Sequence, residues 1–268
     1  MSELLCLELS EGVLTITLNR PDVFNSFNQA MGRAFQAALD DAATNPKVRC
    51  VIITGAGRAF CAGQDLKEVT SESSPGFKVI VEETYNRSIR RICDMEKPVI
   101  AAVNGVAAGA GANIALACDF VVAKSSVKFI QAFANIGLIP DSGGTYWLPR
   151  LVGMARAKSL TMLGTPLSAE EAHAIGLIHN AVGDEAFDEA VDSLSKKLAS
   201  MPTRGLGLTK KALHAGTKND LHTHNCRSNL TSSFKPQKQS TTRRVSKHFW
   251  KNAPPNLSAN ERALDFRL

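Results

Sequence analysis

The sequence predicts an α/β fold in which apolar strands form sheets covered by helices, with a helical second part. Three observations point there. Runs dense in Val, Ile and Ala alternate with segments of helical period. The buried strands at 48–54 and 98–103 run into loops of Gly, Ala and Asn, the chemistry of tight turns and close backbone approach. From residue 145 onward, one helical segment follows another.

Taken in order, residues 4–10 and 12–19 alternate and are β-branched around Glu11-Gly12, a hairpin. Residues 27–44 place Met31, Phe35, Ala38 and Ala42 at helical spacing and stop near Asn45-Pro46. Residues 48–54 read as a strand, 55–66 as a Gly/Ala loop and 77–95 as a helix after a polar stretch at 70–76. A fully buried strand is predicted at 98–103, then an Asn-Gly turn, a small-residue helix at 109–118 and a strand at 119–123. Helices are predicted over 145–163, 168–175, 185–200 and 203–215. The spacing of these units is too irregular for a solenoid repeat. Residues 1–200 form the predicted core and 201–223 the start of a helical C-terminal part. Residues 224–268 are an atypical basic tail.

The composition bounds the function. The 268 residues are 44% hydrophobic, and no run approaches the eighteen apolar residues a membrane helix needs. The start, Met1-Ser2-Glu3-Leu4-Leu5, does not read as a secretory leader, and the six cysteines contain no Cys-x-x-Cys pair. A cytoplasmic protein with no membrane partner is expected. The net charge of +6 resides in residues 224–268, where nine Lys/Arg face two Asp/Glu; the rest of the chain stands at −1. A nucleic-acid arm is one reading of that tail, but another explains it better below, and no nucleic-acid partner is expected.

Three segments could carry chemistry. Ala59-Phe60-Cys61-Ala62-Gly63-Gln64-Asp65-Leu66 follows a buried strand, and the N–H of Ala62 could donate to a carbonyl oxygen there. An ordinary strand-to-helix turn is the plainer reading. Asn104 to Asn113 follows a second buried strand and opens a helix with free N–H groups, which suits a developing oxyanion; close helix packing through small residues is the alternative. Asp141, in Gly137-Leu138-Ile139-Pro140-Asp141-Ser142-Gly143-Gly144, reads either as a helix N-cap or as a general base. As a base, its pKa would be raised by an apolar pocket of Phe133, Leu138 and Ile139. No histidine precedes His173, which disfavours a Ser-His-Asp or Cys-His site in the glycine loops. No metal-ligand spacing occurs either.

These segments, with Asn19-Arg20-Pro21, Lys97 to Gly105, Cys118-Asp119 and Ile139 to Gly144, resemble the crotonase, or enoyl-CoA hydratase/isomerase, superfamily over about residues 4–222. Within it the resemblance is closest to the ring-1,2-epoxyphenylacetyl-CoA isomerases of phenylacetate catabolism. The resemblance implies a ClpP-like spiral of ββα units with a helical trimerisation part, assembled as a homotrimer or hexamer. It implies an acyl-CoA thioester substrate and no separate cofactor, coenzyme A being part of the substrate. It carries the oxyanion-hole donors onto Ala62 and Ala110, and the isomerase carboxylate onto Asp141. Substrate contacts fall at Ala62, Gly63, Gln64, Asp65, Gly109, Asn113 and Phe133. The two glutamates that activate water in hydratases fall on Asn113 and Phe133, so an isomerase is expected rather than a hydratase. A dienoyl-CoA or Δ3,Δ2-enoyl-CoA isomerase and a non-catalytic acyl-CoA-binding member remain alternatives. A thioester dehalogenase would want a tryptophan near Phe133 and a histidine that this chain lacks.

Family members continue after about residue 223 with a helix and a Lys-Arg-x-Pro-x-Phe segment that reaches coenzyme A; this chain does not. Codons exist for residues 224–240 that read, in the shifted frame, as QLQVELDKQFQAAEAI. For residues 245–260 they read GIKAFLEKRPPKFIGK and then a stop. The basic tail is therefore expected to come from a reading-frame change.

Overall fold

In the computed structural model, which describes residues 3–217, the chain opens with the hairpin: β1 (Leu5–Ser10) pairs antiparallel with β2 (Val13–Leu18). Its two-residue turn holds Glu11 at φ 49° and Gly12 at φ 83°, the positive angles that a tight hairpin requires. Helix α1 (Gln29–Thr44) begins where the Asn28 side chain accepts a hydrogen bond from the Met31 N–H. It buries Met31, Phe35, Ala38, Leu39 and Ala42, the stripe its spacing foretold.

Strand β3 (Cys50–Gly55) lies parallel to β2 and is followed by the short β4 (Ala59–Cys61) and the single turn α2 (Leu66–Val69). The helix expected at 77–95 is present but uneven. It comprises α3 (Phe77–Ile80), a π-helical stretch Val81–Asn86, and α4 (Arg87–Asp94). Then come β5 (Val99–Val103), β6 (Val106–Ala108) and α5 (Ala110–Leu116), and next β7 (Phe120–Lys124), β8 (Lys128–Ile130) and α6 (Gly144–Leu163). Gly153, at φ 77° and ψ 161°, interrupts α6 with a kink. Strand β9 (Leu167–Ser168), α7 (Ala169–Ala174), β10 (Asn180–Val182), α8 (Phe187–Ser200) and α9 (Thr203–Gly216) complete the described chain.

The strands form two sheets. The larger has the order β1-β2-β3-β5-β7-β10 and is parallel beyond the hairpin; the smaller has the order β4-β6-β8-β9. Three times the chain runs through a strand of the large sheet, a three-residue strand of the small one, and then into helix. This is the ββα spiral. The sequence reading missed β4, β6 and β8, because three residues carry no measurable alternation.

The central strands β3, β5 and β7 of the large sheet are buried on both faces, which is why they read as unbroken apolar runs. One face packs on α1, α4 and α5. The other buries Val13, Ile52, Ile100 and Val122 against Phe187, Val191 and Leu198 of α8. Midway along α9, the buried Lys210 amine donates to the Asp119 carboxylate at 2.8 Å and the Ile92 carbonyl at 2.6 Å. Among the described residues, no helix is long and apolar enough to cross a membrane. The chain divides into units Met1–Lys211 and Ala212–Leu268. The expectations for the tail, 224–268, and for 218–223 lie outside the described residues.

Candidate active site

The first glycine loop leaves β4 and is seated on the Asn19-Arg20-Pro21 segment. Arg20 pairs with the Asp65 carboxylate at 2.9 Å, and Asp65 also caps α2 by accepting from the Lys67 N–H. The backbone of the loop is held by Phe27, whose N–H donates to Gly63 at 2.7 Å and whose carbonyl accepts from Asp65 at 2.8 Å. The Ala62 N–H donates to the Phe24 carbonyl at 3.0 Å. Ala62 is therefore not the free donor the resemblance implied, since its N–H is already bound to the Phe24 segment far back in the chain. No hydrogen bond among the described residues takes the N–H of Gln64, two positions on. The Gln64 side chain is fixed as well, accepting from the Tyr85 hydroxyl at 2.9 Å and donating to Glu68 at 3.0 Å.

The second loop arrives beside it. A Cβ built on Gly63, at φ 91°, would stand 3.0 Å from the Ala108 carbonyl oxygen and 3.3 Å from the Ala110 nitrogen. One on Gly111 would overlap the Cys61 carbonyl oxygen at 2.2 Å. Only glycine permits either approach. Ala110 is the first residue of α5, where the N–H has no intrahelical partner. The N–H groups of Gln64 and Ala110 thus flank the place where two backbones meet, an arrangement suited to binding an oxyanion.

The third segment brings Asp141. The Ser142 hydroxyl donates to its carboxylate at 2.8 Å, and Ser142 itself is held at φ 51°, a conformation costly for a non-glycine residue. Burial pushes the Asp141 carboxyl up to about 6, against the opposing Ser142 hydrogen bond. The apolar wall differs from expectation. Phe133 is buried, its ring 3.8 Å from where a Cβ on Gly109 would stand, but Ile139 is 81% exposed and walls off nothing from water. Tyr85 belongs to the same neighbourhood: burial raises its phenol, and the charges of Cys61 and Asp141 add to the shift. Nothing in the sequence marked Tyr85, whose place depends on the π-helical stretch.

Asn113 is also placed differently. It is fully buried, and its carboxamide is spent on protein, donating to the Asp141 backbone carbonyl and accepting from Gln131, each at 2.9 Å. It does not line a substrate space. Asp65 likewise has its carboxylate occupied by Arg20 and Lys67. The site thus holds two unbound N–H groups and one carboxylate of raised pKa, with an apolar ring at Phe133. It can hold negative charge on an oxygen and move a proton beside it.

The family model described as enoyl-CoA hydratase/isomerase matches residues 8–256. A 1,2-epoxyphenylacetyl-CoA isomerase of Escherichia coli K12 is 46% identical over 226 residues, covering 83% of this chain and 86% of that protein. A probable enoyl-CoA hydratase of Rhodobacter capsulatus is 46% identical over 214 residues, covering 80% of this chain and 82% of its own. Among solved structures, an enoyl-CoA hydratase of Mycobacterium smegmatis superposes with a TM-score of 0.86 at 30% identity, covering 94% of this chain and 98% of that one.

Proposed function

From the premise that this chain belongs to the enoyl-CoA hydratase/isomerase family, we propose that it isomerises acyl-CoA thioesters through an enolate, with Asp141 as the proton shuttle. The observation that carries this reading is a buried carboxylate of raised pKa, Asp141, on the segment that Asn113 ties to the second glycine loop; the family resemblance, which sets Asn113 and Phe133 where hydratases carry water-activating glutamates, supports it. Asp141 takes the α-proton, and the electrons of that C–H bond move toward the thioester oxygen. The resulting oxyanion lies between the N–H groups of Gln64 and Ala110. Asp141 returns the proton at another carbon, the oxyanion collapses, and the double bond has moved. No water is consumed. Loss of one such N–H donor costs about 10²–10³ in rate.

The substrate we favour is a ring-epoxide phenylacetyl-CoA or a related unsaturated acyl-CoA, on the likeness to the Escherichia coli isomerase. A homotrimer or hexamer belongs to the same family reading, and the cysteine usage supports a cytoplasmic location. Hydratase names among the relatives keep water addition as the rival. The deciding experiment supplies the protein with crotonyl-CoA, a β,γ-unsaturated acyl-CoA and a ring-epoxide CoA thioester. Double-bond shift or ring-epoxide conversion with negligible crotonyl-CoA hydration is expected; hydration as fast as isomerisation would overturn the proposal.

A further inference from the structure

We infer that Asn113 is a positioning residue for Asp141, fixing the base relative to the oxyanion donors through a two-ended carboxamide. The inference rests on the reading of Asp141 as the proton shuttle.

Each end of Asn113 meets a group that dictates its chemistry. The Asp141 backbone carbonyl can only accept, so the atom facing it must donate; Nδ2 does so at 2.9 Å. The Gln131 Nε2 can only donate, so the atom facing it must accept, and Oδ1 does at 2.9 Å. Gln131 makes no other side-chain hydrogen bond among the described residues, and its Oε1 is buried without a partner. A buried polar atom left unpaired is costly. Here the amide orients Asn113, forcing its N–H₂ toward Asp141. A carboxylate at 113 would instead set oxygen against oxygen.

The loop is also shaped to sit on Asn113. A Cβ on Gly144 would lie 2.4 Å from Asn113 Nδ2, so Gly144 lets the backbone settle onto the amide. The Asp141 carbonyl takes a second hydrogen bond from the Gly144 N–H at 2.8 Å. Ala110 and Asn113, three apart on α5, share a helix face. One helical turn therefore carries an oxyanion donor at its start and the grip on the base loop at its end. The position where a hydratase would keep a water-activating acid here sets the distance between enolate oxygen and base.

The test uses Asn113→Asp and Asn113→Leu in the full chain, with a β,γ-unsaturated acyl-CoA deuterated at the α-carbon. A base displaced by about an ångström costs up to roughly 10²-fold in rate. Both variants should therefore lose about 10–100-fold in kcat with KM within about threefold of wild type. The share of deuterium carried from α to γ should fall by about half or more, because a loosened base exchanges its proton with water. Wild-type kcat in both variants would overturn the inference, as would a kcat loss with unchanged deuterium transfer. Should neither variant fold, Gln131→Leu decides: it keeps the donor but frees its far end, and must lower deuterium transfer. Unchanged transfer, or failure of all three to fold, would assign Asn113 to the fold alone. Asp141→Asn is the reference. Full turnover in that variant removes the shuttle itself, whereas a dead Asp141→Asn beside wild-type Asn113 variants removes only this inference.

Discussion

The Asp141 carboxyl is pushed up to about 6 from an ordinary 3.8 by burial. The native state therefore holds this proton more tightly than the unfolded chain does. The penalty for burying the charge is fully felt above about pH 6 and vanishes as pH falls below the ordinary value. As a base, however, the group must be ionised. The kcat/KM profile should rise through about pH 6 and level above it, and a profile flat between pH 5 and 8 would deny Asp141 that role. Asp141→Asn should lower isomerisation by roughly 10²–10⁴-fold while acyl-CoA binding persists. The same variant should be more stable at pH 8, by on the order of 1–3 kcal/mol, since the cost of burying the charge is relieved; urea unfolding checks this. Asp141 stood out in the sequence as a candidate because an acid just after Pro140 and just before Ser142-Gly143-Gly144 is conspicuous. Which N–H of the first glycine loop is left unbound was not legible. Whether the Ala62 or the Gln64 N–H stays unbound depends on Phe24, which no local pattern in residues 59–66 announces.

Among the elements, the long helices were legible because their apolar stripes repeat over several turns, as Met31, Phe35, Ala38 and Ala42 do on α1. The small sheet was not, since β4, β6 and β8 are strands only through their pairing with one another. The attachment of α9 was also hidden. Nothing in the stretch Leu208-Thr209-Lys210-Lys211 tells which lysine goes inside, yet Lys210 is buried on Asp119 and Ile92 while Lys211 reaches the exposed Glu96. Lys210→Ala leaves Asp119 inside without its cation and should cost about 3–5 kcal/mol, whereas Lys211→Ala should cost under about 1 kcal/mol. Urea midpoints of the two variants check the contrast; equal midpoints would refute it.

At the scale of the whole molecule, the frame-shift reading makes a prediction that needs no folded protein. The gene bases for residues 224–260, read in the shifted frame, should encode a segment ending in KRPPKFIGK and a stop. If they do, a repaired protein should bind acyl-CoA more tightly and melt at a higher temperature, because association that favours the native state stabilises it. Titration calorimetry on both forms checks this, and equal affinity and stability would leave the basic tail needing its own explanation.

The contacts at Gly63 and Gly111 bear on how such a site can change over generations. A random library spanning the three loops should recover folded protein almost only with glycine at 63 and 111, because every other residue puts a Cβ into a neighbouring backbone. Phe133 presents a side chain rather than a backbone crossing, and should accept many replacements. New reactions would then arise by exchanging what hangs from the frame, while the crossing that gathers the two N–H groups passes unchanged from ancestor to descendant.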